Sequence, residues 1–126
     1  MKKLFLLLLF LMFTLTSFSQ TFVKKYTSVI TKNNGVLSEW KQTSLTVVFN
    51  EKETSDIVFY YSDGTSKRFH KISDDNEDKT SSGEGYQIIE CLDDKDGYKV
   101  AIQLFDDDTT LRIILGSGSF VEFHKD

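Results

Sequence analysis

The side chains able to do chemistry are mainly carboxylates, and they are unevenly spread. From Asp74 to Asp108 there are 12 Asp and Glu against only Lys79, Lys95 and Lys99, whereas Gln20 to Ser73 carries eight bases against five acids. Ca²⁺ takes six to eight oxygen ligands from carboxylates, carbonyls and water. Asp75, Asp78, Asp106 and Asp108 are the candidate ligands for such an ion. An acidic rim also suits a basic protein partner, because it raises the rate of encounter with cations. Carboxylates in loops have a plainer role as well, since they keep surface connections solvated.

The other reactive types are sparse. His70 and His124 are the only histidines, and a general base needs a nucleophile and an orienting group within reach. His70 follows Phe69 in a strand-like stretch beside Lys71, which suits a solvent-facing or packed histidine. There is no Gly-x-Ser-x-Gly elbow and no Cys-His spacing for zinc. Gly116-Ser117-Gly118 reads as a turn, because no helix or Lys follows to make a phosphate loop. Asp94-Lys95-Asp96-Gly97 matches the middle of an EF-hand loop, but Leu92 and Gln103 stand where its first Asp and closing Glu belong. A pair of carboxylates for glycoside cleavage could be drawn from any two acids, so that pattern carries no specificity. The expectation is a binding or interaction module without catalysis or cofactor, its partner a protein or small molecule. The alternatives are a small hydrolase using the carboxylates with His70, and a Ca²⁺-dependent structural module.

Trp40 and Tyr60 combine a ring with a polar atom and are the candidate ligand-binding residues at any barrel mouth. Trp40, Phe59, Tyr60, Tyr61, Phe69 and Phe105 are large surfaces in expected strands, each able to bury 150 Å² or more at about 25 cal/mol per Å², and most of them are expected in the core. Cys91 lies in the apolar run Ile88 to Leu92 and reads as a small buried hydrophobe. A single cysteine cannot make an intrachain bridge.

These residues must be positioned by strands. Asn33-Asn34-Gly35, Ser62-Asp63-Gly64 and Lys95-Asp96-Gly97 carry the Asn-Gly and Asp-Gly pairs of type I′ hairpins. Further breaks fall at residues 50–56, 73–85, 106–109 and 116–118. Between them run eight stretches rich in Val, Ile, Thr, Tyr and Phe, at 22–32, 36–49, 57–61, 65–72, 86–92, 98–105, 110–115 and 119–124. Tyr98, Val100, Ile102 and Leu104 alternate against Lys99, Ala101 and Gln103, as a half-buried strand requires. No helical stripe of useful length exists, although residues 38–42 could form one turn. The fold class is all-β, a single small domain with an antiparallel meander of about eight strands closing into a barrel; a two-layer β-sandwich is the alternative. The early Trp40 followed by hairpins is similar to lipocalin-like small barrels, though their glycine two residues before the tryptophan is absent and Gly35 stands five away. In 107 residues the strands are short, so a filled interior is favoured over a ligand cavity.

In a meander, alternate connections share an end of the sheet, so the second, fourth and sixth bring the acidic loops to one pole. Ahead of the domain, Lys2 and Lys3 precede ten apolar residues, Leu4 to Phe13. Ser17-Phe18-Ser19 then offers small residues at the two positions a signal peptidase reads. Residues 1–19 are therefore expected to be a cleaved signal peptide, and residues 20–126 a periplasmic or secreted domain with no membrane anchor. Without Lys2 and Lys3 the mature chain has 13 Lys and Arg against 19 Asp and Glu, a net charge of −6. Nucleic acid is then excluded as a partner, because phosphate binding depends on clustered bases.

Overall fold

The computed structural model describes residues 20–116 and 118–125. The stretch read as an export signal lies outside the described residues. The strands are β1 (Phe22–Asn33), β2 (Val36–Leu37), β3 (Lys41–Phe49), β4 (Ile57–Tyr61), β5 (Ser66–Lys71), β6 (Asn76–Lys79), β7 (Gly85–Asp93), β8 (Lys99–Phe105), β9 (Thr110–Ile114) and β10 (Phe120–His124). A 3₁₀ turn, Glu51–Glu53, follows β3.

Eight of these strands form one closed antiparallel sheet in the order β1-β3-β4-β5-β7-β8-β9-β10, and β10 returns to β1 from Ser28↔His124 to Lys32↔Phe120. The barrel meander is thus the observed architecture, and the two-layer sandwich is not. β1 makes closure possible because it is long enough to serve two neighbours: Phe22 to Val29 pairs with β3, and Ser28 to Lys32 pairs with β10. The register shifts between Tyr26 and Ser28, a bulge-type irregularity of the kind that bends a strand around a barrel.

Two segments depart from the sequence reading. The stretch expected as one strand over 36–49 is split, because Ser38 takes over the ladder to β1. Its N–H donates to the Thr31 carbonyl at 2.8 Å, and its Oγ accepts from the Thr31 N–H at 2.9 Å. Glu39 and Trp40 then leave the sheet, and Lys41 and Gln42 open β3 rather than completing a helical turn. Within the expected loop at 73–85, Asn76–Lys79 forms β6 against the start of β7. Those four residues are all exposed and have low strand preference, so the hairpin at 80–84 creates this strand, not side-chain burial. The turns also differ in type. Asn34 (φ 51°) and Gly35 (φ 82°) make the expected I′ pair, whereas at Gly64 and Gly97 only the glycine has positive φ. In the latter two the preceding Asp side chains, Asp63 and Asp93, bond to backbone N–H groups two or three residues ahead.

The barrel interior is filled. Tyr26, Leu45, Val47, Phe49, Ile57, Phe59, Phe69, Ile89, Cys91, Val100, Ile102, Leu104, Leu111, Ile113 and Phe123 form one buried cluster. At its centre the Phe59 ring lies 5.3 Å from Phe69 and 6.0 Å from Phe123, in edge-on contacts that aromatic quadrupoles favour. Lys67 and the buried Asp93 pair at 2.9 Å, with Lys67 Nζ 5.7 Å from the Phe69 ring, and so cover one end of the core.

Candidate binding surface on the outer wall

With the interior occupied, the side chains left to meet other molecules are those that alternate outward. On β5, Phe69 points into the core and Arg68 and His70 point out; on β4, Phe59 points in and Tyr60 out. The connection after β3 folds back over this wall. Asn50 and Lys52 adopt left-handed φ values of 55° and 49°, and Thr54 donates through both N–H and Oγ1 to the Glu51 carbonyl. That fold brings Glu51 and Asp56 onto Arg68, whose Nη2 lies 2.5 Å from Glu51 Oε1 and whose Nη1 lies 2.9 Å from Asp56 Oδ2. The Tyr60 hydroxyl donates to the other Glu51 oxygen. Asp94 reaches the same wall from the β7–β8 turn, anchored by its N–H on the Arg68 carbonyl at 3.0 Å.

His70 lies between two acids, with Nδ1 2.9 Å from Asp56 Oδ1 and Nε2 2.5 Å from Asp94 Oδ1. The hydrogen bonds to Asp94 and then to Asp56 raise its pKa above the ordinary histidine value. Both nitrogens donate in the imidazolium form, so this ring holds a proton firmly. Tyr60 and Arg68 hold Glu51 below the usual carboxylate range. Burial pushes Asp56 up, but the bonds from His70 and Arg68 outweigh it and leave it depressed.

A second feature sits at the seam where the last strand meets the first. Ser28 on β1 faces Gln42 of β3 on one side and His124 of β10 on the other. The Trp40 ring, turned out of the sheet at the β2–β3 break, lies 4.5 Å from the His124 ring at 62°. Together with Lys41 and Lys125 these residues line a groove of about 420 Å³. His124 is held from behind: its Nε2 is 2.9 Å from Glu122 Oε2, and Glu122 Oε1 accepts from Arg112 Nε at 2.8 Å. Arg112 in turn lies over the Phe120 ring at 4.4 Å. Three other surface depressions each include acid: Asp74 in one, Glu84, Asp107 and Glu122 in another, and Asp93, Asp94 and Asp96 in a third. The seam groove has none in its lining.

Trp40 and Tyr60 are both exposed but have separate surroundings, Trp40 in the seam groove and Tyr60 on the wall beside Glu51. The candidate Ca²⁺ ligands have partners of their own. Asp75 pairs with Lys71 at 2.6 Å, Asp78 accepts from the Lys79 N–H, the Asp106 carboxylate lies over Gly85, and Asp108 pairs with Lys24 and Lys125. Among the described residues no three His, Cys, Asp or Glu gather as a metal would need. The sequence reading named His70 but missed its partners. No family model, curated protein or solved structure matches the chain.

Proposed function

We propose that the protein is a small exported β-barrel that acts by binding, from its outer wall and without chemistry of its own. The observation that carries this reading is the filled interior. A barrel of eight strands either encloses a ligand or packs itself solid, and here Phe59, Phe69 and Phe123 occupy the space a ligand would take. What remains for recognition is the surface, where the seam groove combines a half-exposed indole with polar groups.

The hydrolase alternative is disfavoured by the geometry at His70. A general base needs a free ring nitrogen within reach of the proton it takes, and both nitrogens of His70 face carboxylates. The test is a panel of activated esters, aryl glycosides and casein at neutral pH, with wild type beside His70→Gln. The expected result is no turnover above blank in either protein. Turnover in the wild type that disappears in the variant would replace binding with hydrolysis. Intact-mass measurement on exported protein tests the route, the expected mature chain starting at or near Gln20.

A further inference from the structure

We propose that the seam groove lined by Ser28, Trp40, Lys41, Gln42, His124 and Lys125 binds a sugar residue carrying one anionic group, a carboxylate or a sulfate. The inference rests on the binding reading above and names the ligand class for that surface.

Each part of the groove answers to one part of such a ligand. Trp40 is 49% exposed, so the indole keeps an open apolar surface against which the C–H face of a pyranose can lie. Ser28 Oγ, which donates to the His124 carbonyl at 3.5 Å, keeps acceptor capacity, and the Gln42 amide both donates and accepts, as sugar hydroxyls require. Lys41 and Lys125 supply positive charge on a domain whose net charge is −6. Lys41 has no ion-pair partner among the described residues, whereas Lys125 is paired with Asp108 at 3.4 Å. A neutral sugar would leave the Lys41 ammonium group unmatched. A long polyanion is disfavoured for the opposite reason, because Glu122 and Asp108 stand directly behind His124 and Lys125. One ring with one charge meets both conditions. At about 420 Å³ the groove is within the usual range of small-molecule sites. The stack Phe120–Arg112–Glu122–His124 fixes Trp40 from behind, so little ordering is needed on binding.

Trp40 is the only tryptophan, so its emission reports directly on the groove. The mature protein is titrated at low ionic strength with a glucuronate-terminated disaccharide, a sulfated disaccharide, a neutral disaccharide and sodium sulfate. At least one acidic sugar is expected to give a saturable change in Trp40 emission, with the neutral sugar at least tenfold weaker and sulfate inactive. Response to one acidic sugar alone upholds the proposal and fixes which anionic group is read. Lys41→Glu is expected to weaken the acidic sugar tenfold or more at unchanged Tm, while Lys99→Glu, away from the groove, leaves it as in wild type. Equal binding of the neutral sugar, saturation by sulfate alone, indifference to Lys41→Glu, or no saturable response to any sugar would each overturn the proposal. Failure here leaves the non-catalytic reading standing, since the hydrolysis panel decides that separately.

Discussion

Phe59 gives the most direct test of the filled interior. Its side chain is fully buried, and its ring makes edge contacts with Phe69 and Phe123. A buried phenyl group covers roughly 150 Å², or about 4 kcal/mol at 25 cal/mol per Å². Truncation also leaves a void and ends the two ring contacts, so Phe59→Ala is expected to cost about 4–5 kcal/mol. For a domain near 100 residues that lowers Tm by roughly 15–25 °C. Because total stability is only about 5–15 kcal/mol, Phe59→Leu is made in parallel, with an expected loss of about 1–2 kcal/mol. Tyr60→Leu is the control, since Tyr60 is the next residue and faces out, where the change removes only its bond to Glu51. Urea unfolding followed by circular dichroism reads all three. If Phe59→Ala costs less than about 1 kcal/mol, or no more than Phe59→Leu, the ring does not fill the barrel. The case for surface binding then fails with it.

Further outcomes follow from the same structure. His70 has a raised pKa, so its contribution to stability is present below the ordinary histidine value and is lost as pH rises through the raised one. The stability gap between wild type and His70→Asn is therefore expected to be larger at pH 5.5 than at pH 9, and an equal gap would show that the two acids do not favour the imidazolium. Glu51 and Asp56 have depressed values, so their contribution fails only as pH falls below the usual carboxylate range. Cys91 is fully buried and burial pushes its thiol up to about 12, so a thiol reagent is expected to leave the native protein unmodified and to titrate one group in denaturant. Gly35→Ala places a Cβ at φ +82° and should cost about 1 kcal/mol in urea unfolding, whereas Gly116→Ala, with open space and no positive φ, should cost much less.

The fold was legible where local signals and the sheet agree. Turn residues located the connections, and alternation correctly put Val100, Ile102 and Leu104 inside with Lys99 and Ala101 out, whereas Gln103, expected on the outward face, is buried. Tyr98 broke the pattern because the turn, not the strand, holds it, leaving it 70% exposed. β6 was not legible at all, since a strand made only by backbone pairing leaves no hydrophobic period to read. The candidate surfaces were less visible still. Asp56 and Asp94 reach His70 from the second and fifth connections, which a meander sends to opposite ends of the sheet. Trp40 meets His124 only because β10 closes onto β1, a pairing between residues far apart in the chain.

Closure also changes what the uneven charge along the chain means. The sequence placed bases before Ser73 and acids after it, which pointed to an acidic pole facing solvent, a cation or a partner. In the barrel, bases of the first part meet acids of the second: Lys24 with Asp108, Lys67 with Asp93, His70 with Asp94 and Lys71 with Asp75. Most of these pairs involve exposed groups, where each is worth about 0–1 kcal/mol, so they do little for overall stability. Their value is in selection among pairings. A one-residue slip between β5 and β7 would turn Lys67 and Asp93 from the covered end of the core and remove His70 from Asp94. The acids that could bind something outside are thus partly committed inside the fold, and the seam groove, which keeps the unpaired Lys41, holds no acid in its lining.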